Sequence, residues 1–135
     1  MPAADFLDSN VVIYAYSQDA AKKHAALVLL AGAPTISTQV LNETINVLRR
    51  KNLMADGLIP TAINDLVVRC QVTLVDVETI RSALDVMARY QLSYFDALMV
   101  ATAIEAGCTT LYSEDMQDGQ VLNGALTIKN PFRVA

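Results

Sequence analysis

Four acidic residues lie inside or beside apolar stretches of the sequence, a setting in which carboxylates are uncommon. They are Asp8, Glu43, Asp96 and Asp115. Burying a lone carboxylate is expensive unless a positive charge compensates it. A divalent cation is the simplest compensator, so the four acids predict a metal site.

The types of residue present limit which metal ion and which reaction are expected. Oxygen ligands without histidine or cysteine favour Mg²⁺ or Mn²⁺ over zinc. The single histidine, His24, stands beside two lysines and is expected at the surface, so it builds no Ser-His-Asp or Cys-His arrangement. The five glycines are scattered and form no phosphate-binding loop. Metal-activated water is therefore the expected nucleophile, and phosphodiester hydrolysis by one or two ions is the reaction that suits it.

Each acid also has a simpler structural explanation. Glu43 could pair with Arg50, Ser93 and Asp96 fit a helix cap, and the acids after Leu111 could form a solvated loop. The metal interpretation is favoured because the predicted positions of the four acids can converge.

The elements that position these acids alternate along the chain. Apolar runs, caps and turn signals predict strands at 5–8, 35–37, 72–77, 109–113 and 125–129. The same signals predict a turn or short helix after Asn10 and helices over 20–31, 38–51, 60–70, 77–90 and 97–104. This alternation predicts one domain, residues 1–135, with a three-layer α/β/α fold and a central, mostly parallel sheet.

Helical spacing also predicts which faces are buried. The helix predicted over 97–104 is apolar on all sides, so we expect it to be central in the fold and buried on most sides. In the helix with Glu43 the predicted stripe is Leu41, Ile45 and Leu48, and in helix 77–90 it is Ile80, Leu84 and Met87.

Asp8 and Asp115 both follow predicted strands. In parallel sheets ligands bind at the carboxyl ends of strands, near a topological switch point. If the two strands are neighbours, Asp8 and Asp115 meet at one rim, and Glu43 and Asp96 approach from flanking helices. The neutral hydrogen-bonding residues Asn10 and Ser113 could orient water or a phosphate oxygen there.

The composition of the chain limits which binding partners and which cellular compartment we expect. A net charge of −4 argues against a general nucleic-acid binder, although basic residues are grouped at 22–24 and 49–51 and a metal would offset several acids. The 53% hydrophobic content leaves apolar surface for a protein partner. The longest aliphatic cluster, 25–31, is too short to span a bilayer, and the N-terminus lacks a basic, apolar leader. We therefore expect a cytoplasmic protein with no membrane partner, with Cys70 and Cys108 reduced.

Taken in order, these segments resemble the PIN domain, specifically the VapC-like toxins of bacterial toxin–antitoxin pairs. The resemblance rests on Asp8-Ser9-Asn10, the helix carrying Glu43, Tyr94-Phe95-Asp96-Ala97 and Leu111-Tyr112-Ser113-Glu114-Asp115. It implies a Mg²⁺- or Mn²⁺-dependent ribonuclease whose catalytic, metal-binding acids are Asp8, Glu43, Asp96 and Asp115. Asp118 matches an additional acid of some members, Ser113 a common Ser or Thr, and Asn10 a polar position. The resemblance further implies a homodimer held inactive by a cognate antitoxin.

Two other functions fit parts of the pattern. A catalytically silent PIN-like module could bind RNA or protein, with the acids serving as caps and surface loops. A haloacid-dehalogenase-like phosphatase needs a second acid where Asn10 stands, and a receiver domain needs paired acids where Ser9 follows Asp8. Both phosphotransfer folds are therefore disfavoured.

Overall fold

The computed structural model describes residues 4–133, which form six strands and six α-helices, with helices in each connection between the first four strands. The strands are β1 (Asp5–Leu7), β2 (Thr35–Ser37), β3 (Gln71–Thr73), β4 (Thr110–Tyr112), β5 (Val121–Leu122) and β6 (Leu126–Lys129). The helices are α1 (Ser9–Tyr14), α2 (Ala20–Ala31), α3 (Thr38–Arg50), α4 (Ile59–Arg69), α5 (Val77–Tyr90) and α6 (Tyr94–Glu105), and a 3₁₀ turn at Asp56–Leu58 precedes α4. The predicted alternation is confirmed.

The strands form one sheet in the order β3-β2-β1-β4-β6-β5. All pairings are parallel except that of β5 with β6. The chain moves from β1 outward to β2 and β3, then crosses back to β4 on the other side of β1. Right-handed connections therefore place α1 to α4 on one face and α5 and α6 on the other. This confirms the α/β/α fold class and puts the switch point between β1 and β4.

Side-chain caps fix where the helices begin. Asp19 caps α2 by accepting the Lys22 amide, and Ser37 caps α3 by accepting the Val40 amide. Ser93 caps α6 in the same way, by accepting the amide of Asp96 at 3.3 Å. All seven residues at 97–103 are buried, so α6 is the central helix that its apolar sequence predicts. Asp96 thus stands one residue before a continuous buried segment.

The predicted inward face of α5 is wrong. Ile80 is 40% and Leu84 48% exposed, whereas Thr79, Ala83 and Val86 are buried. The reason is that α5 packs on the alanine-rich helix α6, where small side chains allow the two backbones to approach closely.

The predicted stripe of α3 is also partly wrong, because Ile45 is exposed and Thr44 is buried. The Thr44 hydroxyl tolerates burial because it donates to the Val40 carbonyl at 2.7 Å.

The strand predicted at 72–77 is also too long. It ends at Thr73 because Asp76 and Thr79 form a capping box that starts α5. The short β5, which pairs antiparallel with β6, was not predicted.

Two other expectations, for His24 and for the cysteines, are met. His24 is exposed, and Cys70 and Cys108 are buried and not joined in a disulfide. Among residues 4–133, no helix combines the length and apolarity needed to cross a membrane.

Candidate active site

Asp8 lies at the carboxyl end of β1, where it also caps α1. Its Oδ1 accepts the Ser9 amide at 2.7 Å, and its own amide donates to the Tyr112 carbonyl, which extends the pairing of β1 with β4. The side chain is only 6% exposed. Burial, together with the negative charges of Asp96 and Asp115, raises the pKa of Asp8 to about 6.

Asn10 and Ser113 connect Asp8 to the loop that follows β4. The Ser113 hydroxyl donates to Asp8 Oδ2 at 2.8 Å. The Asn10 amide lies 3.3 Å from Asp8 Oδ2 and 3.1 Å from Asp115 Oδ2, and its Oδ1 accepts the Glu114 amide. The predicted meeting of Asp8 and Asp115 at one rim is therefore observed, with Asn10 between them.

Glu43 reaches the same place from α3. Its Oε1 is buried and has no hydrogen-bond partner among the described residues. Burial first, and then the charge of Asp8, raises the pKa of Glu43 to about 7. Asp96, in the first turn of α6, is near enough for its charge to raise the pKa of both Asp8 and Glu43.

The four acids share a cleft of about 460 Å³. It is also lined by Ser9, Asn10, Ile13, Tyr14, Ser17, Val47, Lys51, Leu53 and Glu114. Its position at the carboxyl ends of β1 and β4 is the switch point of the sheet, where α/β folds bind their ligands.

The donors present fit a divalent cation. All are oxygens, and a buried carboxylate oxygen without a partner is a group that a cation would satisfy. Burial, and after it the charges of neighbouring acids, raises the pKa of Asp8 and of Glu43, so a cation at this place would favour their ionised forms. Within residues 4–133, however, no three acidic, histidine or cysteine side chains lie close enough together to enclose an ion as they stand.

Comparison with protein families matches residues 6–117 to the PIN domain. The match spans most of the sequence. The chain belongs to the PIN domain family.

Two solved structures have the fold of this PIN domain. A toxin–antitoxin complex from Klebsiella pneumoniae aligns with a TM-score of 0.73 and 16% identity, over 96% of this chain and 99% of that chain. VapC20 of Mycobacterium tuberculosis, described as a sarcin–ricin loop cleaving toxin, aligns with a TM-score of 0.64 and 21% identity, over 79% and 86%. Identities this low establish a common fold alone. No curated protein is significantly similar to the sequence.

Asp118 is not brought to the cleft of the PIN domain. Its carboxylate accepts the Asn130 amide at 2.7 Å and lies 3.4 Å from Arg133 Nη1. Asp118, the fifth acid of the predicted set, therefore binds the segment after β6 and does not line the cleft with the other four acids.

Two features of the cleft were missed from sequence. Lys51 was treated as part of a solvated basic group, yet it lines the cleft with Glu43 and Val47. The spacing of four residues between these three positions was the available signal, since such residues share a helix face.

Glu114 was assigned to a solvated loop, but it accepts hydrogen bonds from Tyr14 and Lys22. These bonds outweigh its burial and lower the pKa of Glu114.

Proposed function

We propose that this PIN domain is a Mg²⁺- or Mn²⁺-dependent endoribonuclease, the toxin of a toxin–antitoxin pair. The observation that carries the proposal is the convergence of Asp8, Glu43, Asp96 and Asp115 on one cleft at the switch point, with a buried Glu43 oxygen that lacks a partner. Membership of the PIN family and the toxin fold of the two solved structures support it.

The four acids would hold the cation, and the neighbouring polar residues would hold the acids. A bound divalent ion supplies an activated water and offsets the charge that develops on the phosphate. Ser113 and Asn10 fix the orientation of Asp8 through its Oδ2. Because Asp118 is engaged elsewhere, we leave it out of the metal-binding set.

RNA is the proposed substrate, and Lys51 is the residue best placed to contact it. Lys51 is exposed at the end of α3 and lines the cleft that contains the acids. A cation there can bind a phosphate beside the scissile bond, which partly answers the objection raised by the net charge of −4.

The proposed partners are a cognate antitoxin and a second copy of the chain, acting in the cytoplasm. Apolar side chains left at the surface support a protein partner, for example Val68 on α4 and Leu84 on α5. One of the solved structures with this fold is itself a toxin–antitoxin complex.

The test is incubation of the purified protein with total cellular RNA, with Mg²⁺ or with a chelator, followed by mapping of the new ends. We expect discrete ends that appear only with the cation and disappear in Asp8→Asn. Cleavage that persists in Asp8→Asn, with its fold intact, would remove the assignment.

A catalytically silent RNA- or protein-binding module is the second candidate. It is favoured by one observation, that no three potential ligands among residues 4–133 already enclose an ion site. Thermal unfolding separates the two, because a cation that binds only the folded state raises the melting temperature with concentration. A silent module would show no saturable rise with Mn²⁺.

A further inference from the structure

Glu114 lies next to the predicted ligand Asp115 but is engaged by a different set of residues. Its Oε1 accepts the Tyr14 hydroxyl at 2.8 Å, and its Oε2 forms an ion pair with Lys22 Nζ at 2.5 Å. The Lys22 ammonium also donates to the Tyr14 hydroxyl. Three elements, namely α1, α2 and the loop after β4, are joined at this one carboxylate.

Aromatic rings surround the ion pair. Lys22 Nζ lies 4.6 Å from the centre of the Tyr14 ring and 5.4 Å from that of Phe132. The two rings meet edge to face, with centres 4.8 Å apart. Both distances from the ammonium are within the range of cation–π attraction, so the rings hold Lys22 over Glu114.

The opposite side of the same loop is held by Asn10. Its Oδ1 accepts the Glu114 amide at 3.2 Å, and its Nδ2 donates to Asp115 Oδ2 at 3.1 Å. The loop is therefore fixed through the Glu114 side chain on one side and through the Glu114 backbone on the other. Asp115 follows directly in the chain, so its position depends on both attachments.

We propose that Lys22 and Tyr14 are positioning residues that hold Glu114 so that Asp115 faces Asp8 across the cleft. This inference rests on the proposed function, since it assigns Asp115 to the cation. Neither Lys22 nor Glu114 is proposed to contact the cation itself.

The direction of one mutational effect separates positioning from electrostatics. Removing the positive charge of Lys22 should tighten cation binding if only charge matters, because a nearby like charge is lost. A positioning role predicts the opposite. We expect Lys22→Met to weaken Mn²⁺ binding about tenfold, the range in which outer partners of metal ligands act, and Lys22→Arg to restore most of the affinity.

The experiment has two readouts, calorimetric Mn²⁺ titration and hydrogen exchange of the metal-free protein. Exchange at the Glu114 and Met116 amides should accelerate in Lys22→Met, because both donate within this loop region. Lys23→Met removes the same charge from the neighbouring exposed position of α2 and should change neither readout. If Lys22→Met does not fold, Tyr14→Phe takes its place, because it removes a hydrogen bond to Glu114 without changing the charge, and weaker Mn²⁺ binding with faster exchange is again the expected result.

The outcomes are distinct. Unchanged or tighter Mn²⁺ binding by folded Lys22→Met overturns the positioning role alone. A wild-type protein that binds no Mn²⁺ overturns the proposed function, and amide exchange then decides whether Lys22 orders the loop. Weaker binding and faster exchange, with both restored in Lys22→Arg, support the inference.

Discussion

The Ser113 hydroxyl and the Asp8 carboxylate, which are 105 positions apart in the sequence, lie within 2.8 Å of each other. The bond joins the carboxyl ends of β1 and β4, and both side chains are buried. It partly offsets the burial that raises the pKa of Asp8 to about 6. The pairing of β1 with β4 thus places a hydroxyl that favours the ionised form of Asp8.

Removing the hydroxyl should therefore make Asp8 harder to ionise. In Ser113→Ala we expect the pKa of Asp8 to rise further, because a hydrogen bond to its charged form is lost. Mn²⁺ affinity, measured by calorimetry across pH 5 to pH 8, should then reach its plateau at a higher pH than in the wild type. Ser113→Thr keeps the hydroxyl and serves as the control. Identical pH profiles for Ser113→Ala and the wild type would refute the expectation.

The metal-free protein should lose stability as the pH rises. The folded-state pKa values of Asp8, about 6, and Glu43, about 7, exceed the usual 3.8 and 4.5. Their contribution to the free energy of unfolding is therefore fully present below about pH 4 and is lost as the pH rises through 6 to 7. For the buried Asp8 alone the loss is on the order of 2 to 3 kcal/mol.

Urea unfolding at a series of pH values measures this loss. Glu114 acts in the opposite sense because its pKa is lowered. The difference between the wild type and Asp8→Asn leaves Glu114 in place and therefore reports on Asp8, together with the Glu43 ionisation that Asp8 opposes. That difference should grow in favour of Asp8→Asn from pH 4 to pH 7. A difference that stays constant with pH would mean that Asp8 ionises normally.

Neutralising Glu43 should stabilise the metal-free protein. Its Oε1 is buried without a partner, and the charge of Asp8 opposes its ionisation. We expect Glu43→Gln to raise the free energy of unfolding by about 1 kcal/mol, while RNA cleavage is lost, as is common for residues kept for function. Asp118→Asn should instead lower the melting temperature, because bonds from Asn130 and Arg133 are weakened. A lower melting temperature for Glu43→Gln would contradict this view of the cleft.

Lys51 should contribute to RNA affinity through its positive charge at the cleft. Lys51→Ala should weaken RNA binding at low salt and make the dependence of log K on log salt shallower by about 1. Lys23, exposed on α2, offers a matched control that removes one charge away from the cleft lining. Equal effects of the two substitutions in filter binding would indicate a nonspecific charge effect.

The sequence predicts the positions of the helices and strands well, because caps, glycine stops and apolar runs are local features of the chain. Asp19 and Gly32 delimit α2, and the apolar residues 97–103 give a buried helix. The strands carrying Asp8 and Ser113 are predicted from short apolar runs. Whether these two strands are neighbours was left open by the sequence, and the parallel β1–β4 pairing shows that they are.

The patterns fail where size and hydrogen bonding outweigh hydrophobicity. Ala83 and Thr79 occupy the face of α5 that Ile80 and Leu84 were expected to fill, because close helix packing selects small side chains. The role of Glu114 is also not local, since its partners Tyr14 and Lys22 lie about 100 and 92 positions away in the chain. Asp118 was assigned to the site by the resemblance to the PIN domain, and its contact with Asn130 has no signal in the sequence.

Whether this cleft holds the catalytic cation can be measured by single-turnover cleavage of a labelled RNA in Mn²⁺, with the rates of Asp96→Asn and Asp118→Asn compared. Both substitutions remove one acid, but only Asp96 lines the cleft. We predict that Asp118→Asn cleaves within a few-fold of the wild type, that folded Asp96→Asn is slower by about a hundredfold or more, and that a chelator stops every reaction. Wild-type cleavage by folded Asp96→Asn, or cleavage that survives the chelator, would contradict a cation held by this cleft.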